Sequence, residues 1–404
     1  MAKLGKLFIL ASVFSMLGWL FFKPPFDPVI NGDSPATGLF GRGLYNADSA
    51  LEPGQKADPD YIITLPLDHA EHTRFDIEWW YLTANLHDQQ GNNYGLQWTL
   101  FRFRSPAAKT QDDKPESSWH NNQVYMAHAS VHSMKNHWFG EKFARGGVGN
   151  AGVIASPFSL FIDGWKWQNN QAGKNLLPAQ LSFDVPINEP INALQMSTKN
   201  DESPVISVNL LLKQSGPYVF HGENGYSIKS GNRQHASHYY SNPFIEVSGK
   251  LIFDDDKSIS GKRDVKITGE AWFDQEWTSQ LLDTQTLGWD WMSLHLNDGS
   301  KLMAFRMRLK GQNDYVTGSL ISPNGQLRTL SPADISLTPI QYKTVNAKEL
   351  PLAWQVQIPS AGIYIEVEAL KKEQWNPALV SYYEGMVGIK GTHQGRGFLE
   401  LTGY

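Results

Sequence analysis

The sequence predicts an all-β chain built as two consecutive barrels behind an N-terminal signal or anchor segment. Three observations predict it. Apolar residues alternate with period two from about residue 61, hairpin turns recur between the runs, and one aromatic hairpin is echoed in the second half. At 404 residues the chain is also too long for one ordinary domain.

In chain order, Lys3 and Lys6 precede an uncharged apolar run from Leu7 to Phe22, which Lys23-Pro24-Pro25 ends. This is the pattern of a secretory signal. The run is shorter than the ~20 residues of a comfortable membrane span. Bulky Trp19-Leu20-Phe21-Phe22 stands where a small-residue cleavage site is usual. Residues 1–23 therefore read as a signal peptide or as an uncleaved anchor, with the body in the periplasm, free or tethered to the inner membrane. Residues 24–60, punctuated by Pro24-Pro25, Pro28, Gly32-Asp33-Ser34-Pro35 and Pro53-Gly54, read as a linker.

The run from Ile77 to Leu86 reads as a strand, His87 to Gly91 as its turn, and Leu96 to Phe103 as the returning strand. Further hairpin turns are expected at Asp163-Gly164, Asp298-Gly299 and Asn324-Gly325. Trp79-Trp80-Tyr81 followed by Phe101-Arg102-Phe103-Arg104 is echoed by Trp289-Asp290-Trp291 followed by Phe305-Arg306-Met307-Arg308. Aligning Leu86 with Leu296 puts Trp79 opposite Trp289 and Tyr81 opposite Trp291, so each unit presents a pair of aromatics on one strand face. Asn242-Pro243 breaks the pattern, and the expected division runs 61–246 for the first barrel and 247–404 for the second.

Composition removes several function classes. The formal net charge is −5 with no long run of Lys or Arg, which excludes a basic nucleic-acid surface. There are no cysteines, so disulfides, thiolate metal sites, cysteine nucleophiles and lipidated cysteine anchors are excluded. No G-x-S-x-G, P-loop, G-x-G-x-x-G or H-E-x-x-H motif is present. His69 with His72, and His128 with His132, have spacings that suit metal ligands but lack a third ligand at fixed spacing, so no metal and no cofactor is expected. Fourteen Trp suit a cavity with large flat walls, and equally a bulky β core.

Several blocks carry a resemblance when taken together: Asp68-His69-Ala70-Glu71-His72 leading to Glu78-Trp79-Trp80-Tyr81, then Gln123 to His128, His238-Tyr239-Tyr240-Ser241-Asn242-Pro243, Trp272-Phe273-Asp274-Gln275-Glu276-Trp277, Gly288 to Trp291, Tyr383-Glu384-Gly385 and the closing Gly397 to Tyr404. Over roughly residues 60–404 the chain resembles the AttH-like family, lipocalin-like relatives of the carotenoid 1,2-hydratases. The resemblance implies two lipocalin-like (calycin) barrels packed together, export, and in some members partnership with an ABC transporter permease. In the hydratases an Asp with an aromatic two residues before it is the proposed acid, with a His-x-aromatic pair upstream. The matching positions are Asp274 with Trp272, and His238 with Tyr240. The hydratase patterns look like Tyr-x-Asp and His-x-Trp, where this chain has Trp272 and Tyr240. Gln275 stands where AttH-like members often carry His.

The residues themselves point to two functions. Period-two geometry puts Trp272, Asp274 and Glu276 on one face, with Phe273 and Trp277 on the other. A carboxyl in an aromatic pocket beside a second carboxyl is held protonated, which suits proton donation to an alkene, with aromatic faces stabilising the cation. The candidate catalytic set is Asp274, His238, Tyr240 and Trp272, serving a hydro-lyase or a secreted hydrolase. The other reading is a binding protein for a small hydrophobic ligand, lipid or isoprenoid, enclosed by Glu78, Trp79, Tyr81, His128, Glu276, Trp277, Trp289 and Trp291. Asp274 and Glu276 capping strand ends or pairing with Arg102, Arg306 or Arg308 is the plain structural alternative.

Overall fold

The computed structural model describes residues 54–105, 121–187, 204–254, 261–280 and 285–404. The expected signal or anchor, with Lys3, Lys6 and Leu7 to Phe22, and most of the expected linker lie outside the described residues. Among the described residues no helix is long and apolar enough to cross a membrane.

The first sheet begins with β1 (Ile77–Asp88), β2 (Asn93–Arg104), β3 (Gln123–Ser133) and β4 (His137–Arg145). It continues through β5 (Ala151–Ala155), β6 (Phe158–Ile162), β7 (Trp165–Gln168), β8 (Ala179–Pro186) and β9 (Val205–Gln214). The short β10 (Val219–Phe220) and β11 (Tyr226–Ile228) precede two long strands, β12 (Ala236–Asp254) and β13 (Lys262–Thr278). The strand order is β4-β3-β2-β1-β13-β12-β9-β8-β7-β6-β5, with β10 and β11 paired to β12. The edge strand β4 lies back against β6 and β8, so the sheet is a nearly closed barrel.

The second sheet takes β14 (Thr286–Leu296), β15 (Lys301–Leu309), β16 (Tyr315–Ile321), β17 (Leu327–Leu330) and β18 (Ser336–Val345). It is completed by β19 (Lys348–Ile358), β20 (Ile363–Ala369), β21 (Trp375–Asn376), β22 (Tyr382–Gly391) and β23 (Gly395–Leu401). Its order is β17-β16-β15-β14-β23-β22-β20-β19-β18, with β21 on β22, and it curls into a half-barrel rather than a second full one.

The echoed hairpins are equivalent. In each sheet the first strand lies between the second strand and the last, β1 between β2 and β13, β14 between β15 and β23. The four expected turns fall between strands: residues 89–92, Asp163-Gly164, Asp298-Gly299 and Asn324-Gly325. Asp163, Gly299 and Gly325 have φ of 50°, 87° and 84°, the left-handed conformation that Asp and Gly tolerate best.

The expected division at 246/247 falls inside β12, and the change of sheet comes between Thr278 and Thr286. Asn242-Pro243 does not end the strand. The β12–β13 register shifts between Asn242 and Ile245, so proline sits at a bulge, where a missing N–H breaks no ladder bond. Residues 54–60, expected as the end of a linker, already belong to the body: Ala57 is buried and the Asp58 N–H donates to His238 Nε2 at 3.3 Å.

Strand β1 is buried on both faces, which positions the site. Trp80, Leu82, Ala84 and Leu86 join the core inside the first barrel, with Trp98, Trp165, Trp167, Phe273 and Trp277. Tyr81 faces the other way and joins an inter-sheet core with Tyr239, Trp272, Trp291, Met303, Phe305, Met386 and Phe398. The second sheet packs its own core around Leu294, Leu352, Trp354 and Leu399.

Candidate active site between the two sheets

The inter-sheet layer holds a narrow cavity of about 70 Å³. From the first sheet, Trp79, Tyr81, Phe101, Tyr239, Asp274 and Glu276 line it; from the second, Trp289, Trp291, Phe305, Tyr382 and Glu400. Cross-strand register builds this wall, because directly opposed residues project to the same side. Asp274 is opposite Tyr81 on β1 and Ser241 on β12, and Glu276 is opposite Trp79 and Tyr239. On the second sheet, Glu400 is opposite Trp291 on β14 and Glu384 on β22.

Asp274 is 2% exposed. Burial pushes its carboxyl up to about 7, and the charge of Glu276 adds to the rise. Three donors partly oppose this: the Ser241 hydroxyl and Trp272 Nε1 at 2.7 Å, both bonded to Oδ1, and the Tyr239 hydroxyl. Ser241 leads onward to His221, whose Nε2 is 2.5 Å from Ser241 Oγ and whose Nδ1 is 2.8 Å from Ser319 Oγ on the second sheet. Burial holds His221 far below the usual imidazole range, so it is neutral. A neutral imidazole donating from Nε2 to Ser241, which donates to Asp274, is a continuous hydrogen-bonded path.

Glu400 repeats this environment. Burial raises its carboxyl to about 7, with the charges of Asp274 and Glu276 adding, while Trp289 Nε1 donates to it at 2.5 Å. Glu384 is pushed well above the carboxylate range by burial and by Glu400; Tyr81 Oη donates to its Oε1. One carboxylate keeps a cation: Glu276 pairs with Lys229 at 3.0 Å, and the Lys229 ammonium lies 4.5 Å and 4.8 Å from the ring centres of Tyr239 and Phe305. Aromatic walls, two carboxyls raised to about 7 and one compensated ion pair suit an uncharged, apolar ligand. Among the described residues no group of three or more His, Asp or Glu is arranged to hold a metal ion.

Six of the expected site residues therefore meet at the cavity: Asp274, Glu276, Trp79, Tyr81, Trp289 and Trp291. Trp272 supports Asp274 from the side, and His128 stands behind Tyr382 with Nδ1 at 3.1 Å from its hydroxyl. Four others do not reach it. His238 and Tyr240 are opposite Trp277 and Gln275, on the face of β12 that points into the first barrel. The pair expected beside Asp274 is displaced by one residue, and Tyr239 and Ser241 stand there instead. Glu78 and Trp277 belong to a cluster at the end of the barrel. There Glu78 pairs with Arg102 at 3.1 Å and His72 at 2.7 Å, His72 stacks on Trp277 at 3.8 Å, and Tyr240 bonds Gln275 at 2.5 Å and His69 at 2.6 Å. This cluster seats residues 64–75 across the barrel end; Arg102 also donates to the carbonyls of His72 and Phe75.

Sequence reasoning missed Tyr239, Ser241, His221, Lys229, Tyr382, Glu384 and Glu400. The hairpin echo held the signal for Glu400. Once Tyr81 is aligned with Trp291, the residue opposite each on the last strand is a carboxylate.

Two curled sheets pressed face to face around an acid-lined aromatic cavity define a lipocalin-like protein whose pocket lies between its barrel and its half-barrel. The chain belongs to the AttH-like family, whose model matches residues 56–404. A solved protein of Nitrosomonas europaea described as an AttH is 28% identical, with a TM-score of 0.70 over 87% of this chain and 99% of that one. Kievitone hydratase from Nectria haematococca shares the fold at 13% identity, with a TM-score of 0.56 over 87% of this chain and 96% of that one. No curated protein matches the chain.

Proposed function

We propose that this chain is a hydro-lyase that adds water across a carbon–carbon double bond of an apolar ligand, with Asp274 as the proton donor. One observation carries the reading: a buried carboxyl, raised to about 7, faces an aromatic cavity. The proton of Asp274 adds to the less substituted alkene carbon, the π pair becomes the new C–H bond, and a carbocation is left on the neighbour. Water attacks that carbon, forms the C–O bond and gives up a proton. A group with pKa near 7 is both loaded and acidic enough for the first step at neutral pH. The rings of Trp79, Trp291 and Tyr239 stabilise the cation through their faces.

Cavity size favours chemistry on an end group over storage of a whole chain. About 70 Å³ admits a few waters or a branched alkene terminus, well short of the hundreds of cubic ångströms that enclose a drug-sized ligand. The first barrel, where a carrier would hold its cargo, is filled by Trp80, Trp98, Trp167 and Phe273. The fold shared with kievitone hydratase fits this reading, although at 13% identity it carries no residue across. The N-terminal pattern supports work on the periplasmic side, and a link to an ABC transporter rests on family resemblance alone.

Incubation with geraniol, squalene and a prenylated phenol in ¹⁸O-water tests the reading by mass spectrometry. The wild type should add labelled water to at least one probe, and Asp274→Asn should lose about 10²-fold or more of that rate. A variant as fast as the wild type removes Asp274 as the acid.

A further inference from the structure

We propose that Tyr382 takes the proton from the attacking water, acting through His128 and Glu141. The inference rests on the hydration reading and supplies the half of the reaction that Asp274 does not perform.

Tyr382 lines the same cavity as Asp274 but hangs from the second sheet. Behind it lies a buried chain. Its hydroxyl is 3.1 Å from His128 Nδ1, and His128 Nε2 is 3.0 Å from Glu141 Oε1. His128 and Glu141 are direct cross-strand partners on β3 and β4, so register fixes their pairing. The His128 and Tyr382 rings stack at 25° with centres 5.6 Å apart. Glu141 Oε1 is further held by the backbone N–H of Leu379, in the segment that leads into β22.

Donor and acceptor counting sets the direction. An ionised carboxylate only accepts, so His128 Nε2 carries the hydrogen that Glu141 receives. In a neutral imidazole Nδ1 is then a lone pair, and the Tyr382 hydroxyl donates to it. Phenol, imidazole and carboxylate in this order are the arrangement by which a hydroxyl is made basic. As the water oxygen bonds the carbocation, one water proton passes to Tyr382 Oη and the phenolic proton passes to His128 Nδ1. The imidazolium so formed faces the Glu141 carboxylate. Protons are conserved: one leaves Asp274 for carbon, one leaves water for His128, and exchange with solvent resets both groups. Tyr382 touches the reacting water; His128 and Glu141 are positioning residues.

The same atoms pin the two sheets together, so the test separates chemistry from cohesion. Geraniol is incubated in deuterated ¹⁸O-water with wild type, Asp274→Asn, Tyr382→Phe and Glu141→Gln, whose amide no longer fixes the imidazole tautomer. Deuterium entering the recovered alkene reports protonation and its reversal at Asp274, and ¹⁸O in the alcohol reports water capture. Tyr382→Phe and Glu141→Gln should lose about 10²-fold or more of ¹⁸O incorporation while deuterium entry persists. Asp274→Asn should lose both. ¹⁵N NMR of the wild type should find His128 protonated on Nε2 and bare on Nδ1. Wild-type hydration rates in Tyr382→Phe, equal loss of both labels in it, or a proton on Nδ1 overturns the assignment to Tyr382 alone. A wild type that neither hydrates nor exchanges the probe removes the hydration reading and this inference with it.

Discussion

Asp274 and Glu400 occupy the same place in the two sheets: each lies on the last strand, opposite the second member of its cavity-facing aromatic pair, Tyr81 for Asp274 and Trp291 for Glu400. Both face one cavity, and both carboxyls are raised to about 7 by burial. An indole donates to each, Trp272 to Asp274 and Trp289 to Glu400. Duplication of one hairpin plan and apposition of the copies thus brings two carboxyls of raised pKa together.

That arrangement costs stability in a pH-dependent way. The Asp274 carboxyl rises from 3.8 to about 7 on folding, so between those values the folded chain holds a proton that the unfolded chain has released. Its contribution is fully present in acid and is lost as pH rises through about 7. Asp274→Asn removes this loss. The variant should gain stability relative to the wild type between pH 5 and pH 8, by about 2–3 kcal/mol. Chemical denaturation at both pH values measures it, and an equal difference at the two would show that Asp274 does not titrate in this range.

Ser241 tunes the acid. Its hydroxyl donates to Asp274 and favours the ionised form. Ser241→Ala removes that donor, so the pKa should climb. The alkaline limb of the hydration pH–rate profile, where the acid has lost its proton, should move to higher pH. A limb that stays in place, or moves down, contradicts the role given to Ser241.

The barrel-end cluster is structural, and its energetics should say so. Glu78 and Arg102 are both fully buried and paired at 3.1 Å. Arg102→Met leaves the buried Glu78 carboxylate to His72 and Gln275 and should cost about 3 kcal/mol, while adding Glu78→Gln should recover part of the loss. Hydrogen exchange should quicken at residues 64–75, which Arg102 and Glu78 hold down. Glu78 also raises His72 to about 9, so this contribution is complete below pH 6.5 and is lost as pH rises through about 9. Glu78→Gln should flatten that alkaline loss; a double variant no more stable than Arg102→Met denies the coupling.

Much of this was readable in the chain. Period-two alternation and turn dipeptides locate the hairpins, because both are local. The same alternation puts Asp274 and Glu276 on one face with Trp272. What failed was register. The family resemblance matches His238 and Tyr240 to the acid, and one residue of offset sends them into the barrel while Tyr239 and Ser241 face the cavity. Pro243 reads as a boundary because a bulge and a break share one signature until the partner strand is known. The position of the cavity was also hidden, though Trp79-Trp80-Tyr81-Leu82 carries large apolar groups on both faces, the mark of a strand covered on both sides. Glu384 and Tyr382 come to the site through the closing register of the second sheet, which no short window of sequence contains.

Hydration by this site needs Asp274 to carry a proton near neutral pH. Titration of its side-chain carboxyl by ¹³C NMR, assigned by the signal lost in Asp274→Asn, tests it without any substrate. The expected midpoint lies near 7, raised by burial in the inter-sheet cavity. A midpoint near the ordinary value of 3.8 would leave Asp274 ionised at neutral pH and contradict its role as the acid.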